Sequence, residues 1–309
     1  MIEIFYFVDI SYNQPKLDPL TVWNPNGIVF ANSNTLGLNT YGIFINKNNT
    51  IYVPGRRIPH ILIWENDRID PTIKIYTNAS SAHSIFVTNN GDIFSANSIL
   101  TWKINKWKSN TNDSETITEL EGESFGMFVD INNTLYVSLF TQHRVITRSL
   151  NNISNISTIV AGTGCSGNAI NMLNKSHAIF VDINFDLYVA DSGNNRIQLF
   201  RSGSLDAITV AGAGSINVTL TLNYPSSVIL DADKYLFIVD YRNHRIVRSG
   251  PYGFYCIVGC TGSSSSESNM LYKPTIMAFD SYGNIYVVDE FNHRIQKFLR
   301  LNNTNSKYF

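Results

Sequence analysis

The sequence predicts an all-β fold: a six-bladed β-propeller of four-stranded antiparallel blades, its ring closed by an N-terminal strand joining the last blade. Three observations carry that reading. A strand–turn–strand segment recurs six times along the 309 residues, its turn-entry residues spaced by 42, 42, 52, 49 and 49. Two further strand-like runs accompany each copy. Between the strands no helical periodicity appears, which argues against βαβ architectures.

The inner hairpins begin near residues 42, 84, 126, 178, 227 and 276, with turn-entry residues Asn46, Thr88, Asp130, Asp182, Asp231 and Asp280. Their first strands are rich in β-branched and aromatic residues, and their turns hold Asn, Asp or Gly, the hairpin signature. Third strands are expected at 60–64, 100–104, 144–149, 196–201, 245–249 and 294–298. A fourth strand precedes each copy: 21–23 (TVW), 72–76, 115–120, 157–162, 207–212 and 255–259. The first of these has no earlier blade to join, and the last copy ends after its third strand. TVW is therefore expected to complete blade 6, which removes the exposed edges of an open array. On this division residues 1–19 are an N-terminal flank and 20–309 a single propeller.

Hydrophobic residues make up 44% of the chain and aromatics 12%, enough for a large core, and disorder is excluded. Charged residues are scarce at 15%, with 23 Lys+Arg against 24 Asp+Glu, so no overall field draws the protein to nucleic acid or anionic lipid. Asn, 37 residues, supplies much of the polar surface instead. No apolar run is long enough to span a bilayer. Ile4–Val8 is apolar but bracketed by Glu3 and Asp9, too short and too acidic for a signal peptide.

Two features bear on compartment. The cysteines are Cys165, Cys256 and Cys260, an odd number, so no complete disulfide framework is expected. Cys256 and Cys260 can bridge only across a turn, which Gly259 permits, and their redox state is left open. Glycosylation sequons stand at Asn48, Asn78, Asn112, Asn132, Asn152, Asn155, Asn174, Asn217 and Asn302, nine where composition alone gives about six. The expectation is an extracellular or cell-surface glycoprotein, with the cytoplasm as the alternative.

The strings YVADSGNNRIQLF (188–200), FIVDYRNHRIVRS (237–249) and YVVDEFNHRIQKF (286–298) each lead toward a VAG-like strand. They resemble NHL repeats, and the resemblance covers nearly the whole chain from about residue 20. Blades 4, 5 and 6 carry the full D-x-x-N-[HN]-R-I pattern; blade 3 keeps Gln142, His143, Arg144 and Val145 but has Leu139 in place of the Asp, and blades 1 and 2 have lost it. Asp, His and Arg together suggest acid–base chemistry, yet a triplet repeated in three blades is architecture, since one active site needs one copy. Asp191, Asp240 and Asp289 are expected to accept backbone N–H bonds across the following turn. Arg196, Arg245 and Arg294 are expected to pair with them or with neighbouring carbonyls, and His143, His244 and His293 fall under the same reading.

Long loops at 77–83, 163–177, 213–226 and 260–275 share one face with short loops bearing Arg56, Arg57, Phe140, Tyr241, Arg242, Glu290 and Phe291. Mixed loops on a rigid scaffold are where binding usually resides. The leading expectation is a non-catalytic platform for a protein or peptide, without a cofactor. The rival follows from the resemblance: peptide-amidating lyases on such propellers place metal-binding histidines from alternate blades in the channel. His83 and His177 immediately precede the inner strands of blades 2 and 4, with Thr275 matching them in blade 6. Zinc catalysis needs three protein ligands, and Thr275 is a poor third. Zn or Ca enters only under that lyase or hydrolase reading; otherwise the three are polar residues of the channel mouth.

The short Gly162–Gly164 and Gly212–Gly214 fragments recur with the repeat and are turns, and no other nucleotide or hydrolase motif occurs. Three exposed arginines are too few for single-stranded nucleic acid. NHL modules also present substrates to ubiquitin ligases, but no RING-like Cys/His spacing is present, so that role requires a separate domain.

Overall fold

The structure, a computed structural model, describes residues 10–301 except 39, 56–58, 66–67, 78–80, 99–100, 110–112, 152–155 and 216–219. It is a six-bladed propeller, each blade a four-stranded antiparallel meander running from the central axis outward. Blade 1 comprises Phe44–Ile45, Ile51–Pro54, His60–Trp64 and Ile73–Tyr76, and blade 2 Ser81–Val87, Ile93–Ser98, Trp102–Trp107 and Ser114–Leu120. Blade 3 is Gly126–Val129, Thr134–Leu139, Arg144–Ser149 and Thr158–Ala161, and blade 4 Ser176–Val181, Leu187–Asp191, Arg196–Phe200 and Ala207–Gly212. Blade 5 is Pro225–Leu230, Leu236–Asp240, Arg245–Gly250 and Gly253–Val258. Blade 6 draws Pro274–Phe279, Ile285–Asp289 and Arg294–Phe298 from the end of the chain and Ile28–Ala31 from its beginning.

The ring therefore closes through an N-terminal strand, but one placed later than expected. Ile28 lies opposite Lys297 and Val29 opposite Gln296. TVW at 21–23 only continues this edge: the Leu301 N–H donates to the Val22 carbonyl and the Asn24 N–H to the Leu299 carbonyl, both at 2.9 Å. Pro25 has no N–H to offer a ladder, so the run beyond it becomes the strand. Trp23 is buried under blade 6 instead, its indole N–H donating to the Gly283 carbonyl at 2.8 Å.

The turn-entry residues explain why the hairpins repeat. Asp130 Oδ1 accepts from the N–H groups of Asn132 (2.9 Å) and Thr134 (2.8 Å). Asn46, Asp182, Asp231 and Asp280 make the same pair of bonds two and four residues on. A side-chain acceptor thus stands in for a missing backbone partner. The residue three places after the entry is left-handed in every blade: Asn49, Gly91, Asn133, Phe185, Lys234 and Gly283. Asn and Gly accept that conformation readily; Phe185 and Lys234 are held there by the turn around them.

Residues 11–19, expected as a flank, are part of the fold. Tyr12 bridges to Asn46 at the base of the channel, its ring edge-on to Phe128 and Phe180 at 5.3 and 5.5 Å. Asn13 Nδ2 donates to the Asn46 and Phe279 carbonyls at 2.7 and 3.2 Å. Further on, Leu17 is buried, and the Asp18 and Pro19 carbonyls accept from Arg248 at 3.2 and 3.3 Å. Arg248 is itself wholly buried, paired with Asp231 at 3.2 Å and laid over Tyr235 and Phe237. The segment crosses the hairpin face from the axis to blades 5 and 6. Above Tyr12 a cavity of about 90 Å³ is lined by the apolar inner strands, among them Ile85, Met127, Phe180 and Met277.

Candidate functional site

The loops of the opposite face are organised by the repeated Asp–Arg pair. Arg196 Nε donates to Asp191 Oδ2 at 2.7 Å, and its other nitrogens donate to the carbonyls of Asn168, Ala169 and Met172 at 3.0–3.1 Å. Arg294 bonds Asp289 at 2.7 Å and the carbonyls of Ser266, Glu267 and Met270. Arg245 joins Asp240 to the Thr221 carbonyl. The backbone N–H bonds of these aspartates come from elsewhere than expected. Asn174, Asn223 and Tyr272 supply them, at 2.7, 2.7 and 2.6 Å, from the loop before the inner strand rather than from the following turn. Each pair thus ties down the long loop of its own blade. Burial pushes the Asp191 carboxyl up from the ordinary carboxylate value, opposed by the bonds from Asn174, Asn194 and Arg196.

The residue before each motif arginine has a second task. His143, Asn195, His244 and His293 are all left-handed, which aims three of these side chains at the next blade. His143 Nδ1 accepts the Lys175 N–H at 2.9 Å, Asn195 Oδ1 the Tyr224 N–H at 2.8 Å, and His244 Nδ1 the Lys273 N–H at 3.1 Å. Burial, then the neighbouring lysine charge, lowers the pKa of both His143 and His244. Gly162, Gly212 and Gly259 let the outer strand close on this corner: a Cβ on Gly212 would stand 2.3 Å from the Asn195 carbonyl oxygen. That close approach accounts for the glycine of the VAG-like strand.

At the channel mouth the six matching positions are Tyr41, His83, Phe125, His177, Ser226 and Thr275. His83 and His177 lie within their strands, Ser81–Val87 and Ser176–Val181, not ahead of them. They do not face one another with Thr275. Phe125 lies between them, stacked on His83 at 4.8 Å and 13° and on His177 at 4.4 Å and 14°. Zn–N bonds are about 2.0–2.1 Å long, and a ring packed against both imidazoles occupies the place where they were expected to converge. Thr275 Oγ1 donates instead to the Tyr41 carbonyl at 3.5 Å. His83 Nδ1 is 3.3 Å from Glu123 Oε1. Burial pushes the His177 pKa down to about 4, opposed by a hydrogen bond to the Ser226 backbone. Among the described residues no group of three or more His, Cys, Asp or Glu is placed to hold a metal ion.

The expected binding-face residues divide. Phe140 is half-buried, its ring edge-on to Phe125 at 5.1 Å. Tyr241 is half-buried, its hydroxyl donating to Glu290 Oε2 at 3.4 Å. Burial, then the Glu290 charge, raises the Tyr241 pKa. Glu290, expected at a loop tip, is only 4% exposed because its turn folds it beneath Tyr241. Arg242 and Phe291 are exposed. Arg56 and Arg57 lie outside the described residues, as do the sequons at Asn78, Asn112, Asn152, Asn155, Asn217 and Asn302. Asn48 and Asn132 are exposed on hairpin turns, and Asn174 is half-buried. Cys256 and Cys260 form a disulfide with Cα atoms 5.6 Å apart, and Cys165 is free and exposed.

Sequence reasoning missed Lys175, Tyr224 and Lys273. Each immediately precedes the residue that opens an inner strand, at 49-residue spacing, with φ of 56°, 55° and 51°. Their side chains pair cations with rings along the rim over blades 4, 5 and 6. Lys175 Nζ lies 5.9 Å over Phe140, Arg242 Cζ 4.5 Å over Tyr224, and Lys273 Nζ 4.2 Å over Phe291. The signal was the period itself, applied to a loop position instead of to the strands.

No protein-family model matches the chain, and no curated protein sequence does. Solved structures do. One is a protein of unknown function from Bacteroides thetaiotaomicron, 12% identical over 95% of this chain and 75% of that one, with a TM-score of 0.70. Another, from the same organism, is an auxiliary nutrient binding protein, 14% identical over 95% and 76%, TM-score 0.66. A third is virginiamycin B lyase from Staphylococcus aureus, 13% identical over 89% and 98%, TM-score 0.62. The likeness is one of fold.

Proposed function

We propose that this chain is a non-catalytic NHL-type propeller that binds a protein or peptide through its long-loop face. The observation that carries the reading is how the motif side chains are used. Asp191, Asp240, Asp289 and their arginines are consumed in anchoring loops, so they supply rigidity, and the chemistry left on that face is its rim of cations and rings, with Arg242 and Phe291 exposed. Rigid loops lose little entropy on binding, which favours recognition over a moving catalytic lid. An extracellular glycoprotein fits the sequons and the Cys256–Cys260 bridge, because disulfides persist in oxidising compartments.

The test is to pan a displayed random-peptide library on the intact propeller, counter-selecting on an Arg242→Ser/Phe291→Ser variant that melts like the wild type. Peptides retained by the wild type alone support the reading. Enrichment that is indifferent to the two substitutions overturns it.

A further inference from the structure

We infer that the rim over blades 4, 5 and 6 is a docking site for an acidic peptide segment, its carboxylates received by Lys175, Arg242 and Lys273. The inference rests on the binding-platform reading and deepens it by naming the ligand chemistry.

The three cations are contributed by separate blades yet belong to one arrangement. Arg242 lies over Tyr224, whose ring is 5.9 Å from Tyr241; Tyr241 lies under Lys273 at 6.0 Å, and Lys273 covers Phe291, which packs on Tyr272 at 5.1 Å. Lys175 extends the arc toward Phe140. None of the three cations stands in an ion pair among the described residues, whereas other described cations do, among them Lys106, Arg196, Lys234, Arg245, Arg248 and Arg294. Arg144, on the next blade round, is by contrast engaged by Glu121. Glu290, which could have neutralised Lys273 at the surface, is turned inward to Tyr241. Three cations without an ion-pair partner among the described residues, two of them exposed and Lys273 half-buried, are held on aromatic rings by cation–π contact and offer N–H donors at little further entropic cost.

The class of ligand follows from what each group offers. Guanidinium and ammonium donors fit carboxylates, and the intervening Tyr and Phe rings offer apolar contact to the rest of a peptide. Single-stranded nucleic acid fits less well. It needs open ring faces for base stacking and a continuous basic track, whereas here Tyr224 and Phe291 each carry a cation over the ring.

The direct test compares, on the wild-type protein, a fluorescein-labelled peptide alternating Glu with Gly and its Gln counterpart, read by fluorescence anisotropy at low and high salt. Binding of the Glu peptide that weakens with salt, with the Gln peptide at least about tenfold weaker, is expected. The Lys175→Gln/Arg242→Gln/Lys273→Gln variant should lose a similar factor. A Lys16→Gln/Lys74→Gln/Lys103→Gln variant, equal in charge change but placed away from the rim, should not. Equal binding of the two peptides, equal loss in both variants, or stronger binding of labelled oligouridylate than of the Glu peptide would overturn the inference. Library peptides that depend on Arg242 and Phe291 but are neutral or basic would sink this inference while leaving the platform reading intact.

Discussion

Replacing His177 by Phe should flatten the dependence of stability on acid. His177 is buried, and burial holds its pKa at about 4 in the folded protein, against about 6.5 for an unfolded chain. Between those two values the unfolded chain takes up a proton that the folded one refuses. Stability therefore falls as pH drops from about 7 to about 4, by about 3 kcal/mol from this residue alone. His143 and His244 are lowered too and add loss of the same sign, so the wild-type slope by itself does not isolate His177. The difference between wild type and variant does. Phe is the suitable replacement because it keeps a ring between Phe125 and Phe140. Urea unfolding across that pH window supplies the measurement. The variant should lose about 3 kcal/mol less than the wild type over the window, whatever its offset at neutral pH. Parallel curves would refute the argument, since they would mean that the imidazole is protonated in place.

Four other outcomes are expected. Arg248→Met strands the Asp231 carboxylate in the core and should cost about 3–5 kcal/mol, with Asp231→Asn added to it restoring part; urea melts of both decide. Deleting residues 1–31 removes the outer strand of blade 6 and bares the Arg294–Phe298 edge, so the product should aggregate on size exclusion; a monomer melting like the full chain would show that closure contributes nothing. Arg294→Met frees the carbonyls of the 260–273 loop, whose amides should exchange hydrogen faster while the inner strands stay protected. Secreted from eukaryotic cells, the protein should carry glycan at the exposed Asn48 and Asn132, visible as mass lost in the Asn→Gln variants; native material without glycan at any of the nine sequons would argue against the extracellular reading.

What was legible in the sequence was whatever repeats. Asp130, Asp182, Asp231 and Asp280 each make the same turn bonds because those bonds span only four residues, and with Asn46 this short-range rule leaves its mark at five of the six copies. The pairing of Asp191 with Arg196, five residues apart, was legible for the same reason. Blade number and ring closure followed from counting these units.

The rest depended on contacts between distant parts of the chain. TVW and IVFA are equally strand-like, and only the meeting of residues 28–31 with 295–297 settles which one closes the ring. Tyr12 reads as a stray aromatic until the hairpin face brings it to Phe128 and Phe180. His83 and His177 invited a metal reading because the sequence places them two blades apart without recording that Phe125 fills the space between. Glu290 and Phe291 are adjacent in the chain, yet one is buried and the other exposed, a division made by the turn and by Tyr241 from the neighbouring blade. Local hydrogen bonds are encoded within a few residues and can be read from them. Side-chain direction at the channel and the rim is set by packing between blades, where the partners are 29 to 52 residues away in sequence and no short pattern specifies them.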